Sequence, residues 1–436
     1  MMNKIVVILL LSLLLSAALV GFLTGVSITE SGFFSLDKII KFLVLTLAFL
    51  TLLFQRSKFN IPEDIWRYIL LGLFILLTLL VHHLFSESTD DFFIFRAQKE
   101  IVRLSVMLII FLLCSTASLK SSDYRILVYS FAAAGLLLGI LAVYHSVSGV
   151  VDQPWRSVGA YLRAGVGITD GNTVAAILNI TSMAALAGYL IEKKLLTKLL
   201  FLSFLVIAQA GRFATFSNGA LLSIVITIVA ASLLLKVYHR KVLKPFLRIF
   251  LFIAFLFFVF ILGTGIFRTV FYRAMLSDEH VKGASIYSRL DQYEGYVNLI
   301  KKEPANLIFG VGTASLPAKL GRGLDLHNSY IRPLAVGGTG AFLSFLFLWW
   351  LCLRNFIFSI KAKQVNEIHR TISILFFAGF IGWSFQAATL PSDTSVVQWF
   401  FFMFAYVFRR TACQRSGSVV SSVQSNRTIV GSYPGL

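Results

Sequence analysis

The chain has 436 residues, of which 57% are hydrophobic and 14% charged, against roughly one-quarter charge in a soluble domain, so a water-soluble globular fold is excluded. A formal net charge of +19 would suit a nucleic-acid backbone. The cations, however, fall mostly in short connections between apolar runs, where they act as orientation signals, and no nucleic-acid partner is expected. Cys114, Cys352 and Cys413 have no paired spacing, which points to neither a disulfide framework nor a zinc site.

Windows of about 17 to 22 apolar residues recur along the chain, matching the ~20 residues a helix needs to cross ~30 Å of hydrocarbon. In lipid a span must satisfy its own backbone hydrogen bonds, so these runs are helices. About twelve are expected, near 5–24, 37–54, 68–85, 101–118, 126–148, 173–191, 197–211, 219–236, 249–268, 335–353, 372–390 and 395–408. The first reads as a membrane helix, with a cleaved signal peptide as the alternative.

Alternate connections carry the cations: Arg56, Lys58 and Arg67; Lys120 and Arg125; Lys193, Lys194 and Lys198; Lys236 to Arg248; Arg354 to Arg370; and Arg409 to Arg415. The positive-inside rule puts these in the cytoplasm together with both termini. The outer connections are then 86–91, 150–172, the turn around Arg212 and a large loop over 269–334. The expected organisation is a membrane domain over 1–410 and, over 411–436, a Ser-, Val- and Gly-rich cytoplasmic tail expected to be disordered.

Of seven histidines, five have ordinary placements. His82, His83 and His145 lie at membrane boundaries, and His239 and His369 in basic connections; His280 belongs to the large loop. His327 stands in Leu326, His327, Asn328, Ser329, Tyr330, ahead of Gly337, Gly338, Thr339 and Gly340 at a helix entrance. A neutral imidazole there can take a proton from a sugar hydroxyl, or simply bond a loop carbonyl. Upstream, Tyr287, Ser288 and Arg289 lead a stretch whose spacing puts Leu290, Tyr293, Val297 and Ile300 on one stripe, predicting an amphipathic helix on the outer membrane surface. Pro304 and a Phe309, Gly310, Val311, Gly312 turn follow.

Arg212 closes a span in Gln209, Ala210, Gly211, Arg212, Phe213, Ala214. A guanidinium at that depth pairs, lines a cavity, or snorkels to lipid phosphates; Arg103 and Arg163 admit the same readings. A glycan on a polyprenyl diphosphate would engage such a set, because arginine stays protonated and its planar fork grips phosphate in bidentate fashion as the sugar bond breaks.

Arg212 before a small-residue helix, Ser288 and Arg289 before a Pro and a Phe-Gly-Val-Gly turn, and His327-Asn328 before a Gly-rich helix start together resemble the O-antigen ligase and polymerase superfamily. The hydropathy profile resembles it over nearly the whole chain, and the motifs cover about 209–341.

The resemblance implies an all-α integral membrane protein of about twelve spans, similar to the C-type glycosyltransferases, with one large periplasmic loop carrying short helices. It implies residence in the bacterial inner membrane. The activity implied is a metal-independent, inverting glycosyl transfer at the periplasmic face, without a cofactor, from an undecaprenyl diphosphate-linked glycan to the lipid A core or to a second lipid-linked glycan. On this chain Arg212 and Arg289 would bind the diphosphate, His327 would activate the acceptor hydroxyl, and Asn328 would orient the histidine or a sugar. Family members often carry Ser or Thr where Gly211 stands here. The 167–172 segment matches the family's outer turn only loosely, so Arg163 and Asn172 are secondary candidates. A ligase leads, with a polymerase as the alternative and a polysaccharide or lipid transporter as the reading from another class.

Overall fold

The protein is described by a computed structural model over residues 63–85, 91–115, 119–148, 157–158, 161–162, 171–215, 217–264, 284–320, 326, 328–388 and 396–430. A 3-10 turn (Glu63–Ile65) leads into α1 (Trp66–Leu84), followed by α2 (Asp91–Ser115) and α3 (Ser121–Ser148). A minimal hairpin of β1 (Ser157–Val158) and β2 (Tyr161–Leu162) pairs Ser157 with Leu162 and Val158 with Tyr161. Then come α4 (Gly171–Ile191), α5 (Leu195–Ala214), α6 (Asn218–Tyr238) and α7 (Arg240–Thr264). Three shorter helices, α8 (Ala284–Lys302), α9 (Ala305–Phe309) and α10 (Ser315–Lys319), precede α11 (Arg332–Lys361), α12 (Glu367–Ala387) and α13 (Val396–Val430).

Among the described residues eight helices are long and apolar enough to cross a membrane: α1, α3, α4, α5, α6, α7, α11 and α12. The expected spans 5–24 and 37–54 lie outside the described residues. The architecture is that of an α-helical membrane protein. Its outward faces agree, since Leu222, Val225, Val229, Leu233 and Val237 on α6 are exposed, as are Leu251, Phe252, Phe255 and Phe258 on α7. Apolar side chains at three- and four-residue spacing on the outside of a bundle are suited to lipid rather than water.

α4 is the opposite case. From Val174 to Gly188 nearly every residue is buried, and the run is rich in Ala, Ser, Thr and Gly. Small side chains let neighbouring helices approach closely where hydrophobic burial gives no driving force, and α4 packs against α3, α5 and α12. α12 also packs on α6 and α11, so it joins the α3–α4–α5 group to the group formed by α1, α2, α11 and α13. Aromatic rings fill the seam: Trp349 and Trp383 stack at 5.5 Å, and Phe356 and Phe377 at 5.3 Å.

His369, assigned from sequence to a basic connection, is fully buried at the start of α12. Its Nε2 lies 2.7 Å from Ser359 Oγ, and its Nδ1 is hydrogen-bonded to the Tyr124 hydroxyl. The Asn366 side chain caps this helix by accepting from His369 N at 2.8 Å, so the helix starts sooner than hydropathy marked and takes the histidine inside. The backbone of α13 is helical through Val430.

Candidate functional site

The sequence places Arg212 in a turn between spans; the structure puts it in the last turn of α5. Helix α5 runs on to Ala214 and stops where Thr215 turns back, its hydroxyl donating to the Arg212 carbonyl at 2.7 Å. Just before the arginine, Gly211 meets Gly139 of α3. A Cβ on Gly211 would stand 2.6 Å from Gly139 Cα, and one on Gly139 would stand 2.5 Å from the Ile207 carbonyl oxygen. Two helix backbones touch here, so no side chain fits at 211.

The Arg212 side chain is buried, at 1% exposure. Its Nη2 donates to Ser223 Oγ on α6, while Nε has no partner. Ser223 Oγ in turn donates to the Ala220 carbonyl at 3.0 Å. Among the described residues Arg212 and Arg332 are the two fully buried arginines. Arg332 faces a carboxylate, whereas among the described residues no carboxylate pairs with Arg212. A guanidinium enclosed by helices with one hydroxyl as its partner keeps most of its desolvation cost, and is suited to receive an anion.

α12 lies directly against this place. A Cβ on Gly382 would stand 2.6 Å from the Ser223 carbonyl oxygen and 1.9 Å from Thr227 Oγ1. One turn further, Gln386 Nε2 donates to the Asn172 carbonyl at the start of α4, at 2.9 Å. The next carbonyl, of Ala387, accepts from Ser329 N at 3.1 Å, and the Tyr330 hydroxyl donates to the Ser384 carbonyl at 2.8 Å. The end of α12 therefore gathers Arg212 through α6, Asn172 through Gln386, and Asn328 with its neighbours through Ala387. Burial pushes the Tyr330 phenol up to about 12, so it stays a neutral hydrogen-bond donor.

Asn328 is held by its own turn. Its Oδ1 accepts from Tyr330 N at 2.9 Å and Ile331 N at 3.2 Å, and its carbonyl from Arg332 N at 2.9 Å. The asparagine side chain thus closes an Asx-type turn just ahead of α11. The amide nitrogen donates to the Tyr293 hydroxyl on α8 at 3.2 Å, tying the large connection to the same place.

The glycines after this turn break α11 at Gly338, whose φ of 73° is a left-handed conformation open chiefly to glycine. In an unbroken helix the Ala335 and Val336 carbonyls would bond Thr339 and Gly340. Beside the break these carbonyls accept from Val311 N at 2.8 Å and Gly312 N at 2.9 Å. The Phe-Gly-Val-Gly turn is thus docked into the break, with Gly310 and Gly312 at φ 83° and 85°. His82 on α1, read from sequence as a boundary residue, holds the same turn through Nε2 at 2.6 Å from the Phe309 carbonyl.

His327 and Arg163 lie outside the described residues. The backbone of Arg289 is part of α8. That helix forms as expected; Gln292 and Tyr296 are buried, and on the predicted stripe Tyr293 and Ile300 pack partly against the core while Leu290 and Val297 are 54% and 46% exposed. Tyr293 meets Asn328, and Gly295 faces Leu320. Sequence reasoning passed over Ser223 and Gln386 and gave His82 no role; each is a polar residue inside or at the edge of an apolar span, the position at which a polar side chain needs an explanation. Among the described residues no group of three or more His, Cys, Asp and Glu converges as a metal site. Compared with models of known protein families and with the sequences of curated proteins, the chain matches none.

Proposed function

We propose that this protein is a membrane glycosyltransferase of the O-antigen ligase type, moving a glycan from undecaprenyl diphosphate to an acceptor sugar of the lipid A core at the periplasmic face of the bacterial inner membrane. The observation that carries the reading is Arg212, a fully buried guanidinium whose side-chain partner among the described residues is one serine hydroxyl. It lies in the last turn of a candidate span, at the end of the bundle to which α12 also brings Asn172 and Asn328. A lipid-borne diphosphate supplies the missing negative charge at the depth where the cation sits.

On this reading Arg212 leaves Ser223 to take the diphosphate, and Arg289 on α8 supplies a second cation. His327 accepts the proton of the acceptor hydroxyl as that oxygen attacks the anomeric carbon, while the bond to the diphosphate breaks and the carrier keeps the electron pair. Asn328, fixed by its turn and by Tyr293, orients the acceptor. The test is deletion of the gene followed by gel analysis of the lipopolysaccharide. Core lacking all O-antigen supports a ligase; core carrying a single repeat rejects it in favour of a polymerase.

The break at Gly338 favours a second reading, a transporter, because transporters place substrates at discontinuous helices. That architecture calls for a matching break in a second half, and among the described residues α11 is the one helix interrupted by non-helical backbone. Export of a glycan by a protein with no joining activity would decide for the transporter.

A further inference from the structure

Glu100, in the third turn of α2, and Arg332, at the start of α11, form an ion pair in which Arg332 Nη2 donates to Glu100 Oε1 at 2.7 Å and to Oε2 at 2.9 Å. The Arg332 side chain is fully buried and that of Glu100 is 9% exposed. Thr313 adds its hydroxyl, donating to Glu100 Oε2 at 3.3 Å. Three segments distant in sequence therefore meet at one carboxylate: α2, the 310–314 turn docked into the break of α11, and the first turn of α11 itself.

A buried ion pair stabilises a fold little compared with apolar packing of the same volume, because desolvation offsets most of the attraction. What it does impose is a fixed geometry, since a half-satisfied pair is strongly unfavourable. The geometry fixed here is close to the candidate site. Arg332 N donates to the Asn328 carbonyl, and Asn328 Oδ1 accepts from Tyr330 N and Ile331 N. Locking Arg332 thus locks the turn that carries Asn328 and, next to it in sequence, His327.

We infer that the Glu100–Arg332 pair is a positioning device that sets the 328–331 turn against α12 and so aligns the acceptor side of the site. The placement of the turn stands on the contacts above; its effect on turnover rests on the glycosyl-transfer reading. Both residues act through the turn and neither is a catalytic residue.

The experiment uses the full-length protein in lipid nanodiscs carrying Ser329→Cys, because Ser329 is fully buried and bonded to Ala387. Alkylation by N-ethylmaleimide is followed at that position by peptide mass spectrometry, with the buried Cys114 and Cys352 as internal controls. Glu100→Gln, and the milder Thr313→Val in case the first fails to fold, are each expected to speed alkylation at 329 by about tenfold or more for the first and several-fold for the second, with the controls unchanged. The exchange Glu100→Arg with Arg332→Glu should restore slow alkylation. In glycan transfer, Glu100→Gln should lower kcat while leaving KM for the lipid-linked donor unchanged, and the exchange should recover it. An unchanged alkylation rate in both Glu100→Gln and Thr313→Val overturns the inference. Absence of any transfer by the parent protein would instead overturn the glycosyl-transfer reading, leaving the alkylation result to stand or fall by itself.

Discussion

Gly211 and Gly139 meet backbone to backbone, with the position of a Gly211 Cβ only 2.6 Å from Gly139 Cα, and this crossing sets where the next residue, Arg212, enters the bundle. Restoring a side chain at 211 must push α3 and α5 apart. Gly211→Ser is expected to lower stability by about 1–3 kcal/mol, the usual cost of overpacking a filled core, read as a fall in thermal midpoint of the detergent-solubilised protein. An unchanged midpoint would mean that the two helices do not touch there.

Arg212 separates stability from function. Its buried charge has one hydroxyl partner among the described residues, and since even a paired buried ion is often replaced by apolar residues of similar volume with a gain in stability, a poorly compensated one should be too. Arg212→Met is therefore expected to raise the thermal midpoint while reducing glycan transfer by about 10²-fold or more. A variant that is less stable and fully active would reverse both halves of the assignment.

Ser223 gives a prediction of opposite sign for binding. If the guanidinium must leave this hydroxyl to hold the donor, Ser223→Ala removes a competing bond worth about 1 kcal/mol, and donor affinity should tighten roughly fivefold. Weaker binding would show that Ser223 helps to hold the donor rather than competing for the arginine.

Gly338 has no tolerated replacement. Its φ of 73° is strained for any other residue, and a Cβ there would stand 2.1 Å from the Ile308 carbonyl oxygen. Gly338→Ala should cost about 3 kcal/mol or more through strain and clash combined, and should free the Val311 and Gly312 amides, which hydrogen exchange would register as lost protection at those two positions.

One pH effect follows from Glu303. The Asn306 amide and the Lys319 ammonium hold its carboxyl below the usual glutamate range. A carboxylate whose folded pKa is lowered contributes stability that is present above the unfolded value, about 4.3, and is lost as pH falls through the lower folded value. Protection factors in α9 should therefore drop as pH is taken from ~5 to ~3, and Glu303→Gln should show the loss already at neutral pH. Equal protection at both pH values would remove the carboxylate from the account.

The parts of the fold legible in the sequence are those where one physical property dominates. Hydropathy alone locates α1, α3, α4, α5, α6, α11 and α12 to within a few residues at most ends, because a span must be apolar over about 20 residues. It places the start of α2 near 101, since Asp91, Arg96, Lys99 and Glu100 look like a polar connection; the helix begins at Asp91, and Glu100 is tolerated inside because Arg332 neutralises it. The partner lies 232 residues away, and no local pattern announces it. Motif spacing singled out Arg212 and Asn328, while Ser223, Gln386 and His82 are invisible as motifs because their importance comes from which helices pack together. On α8, Gln292 and Tyr296 are buried while the more apolar Leu290 and Val297 stay outside, where a helix lying on a membrane surface presents them to lipid.

The central claim is that the buried guanidinium of Arg212 is a seat for a lipid-borne diphosphate. Equilibrium binding of undecaprenyl diphosphate to the full-length protein in nanodiscs, compared with Arg212→Met of verified stability, tests it most directly. The account predicts affinity weaker by about 10-fold to 100-fold in the variant, the worth of charge-assisted hydrogen bonds; equal affinity in the two proteins would contradict it.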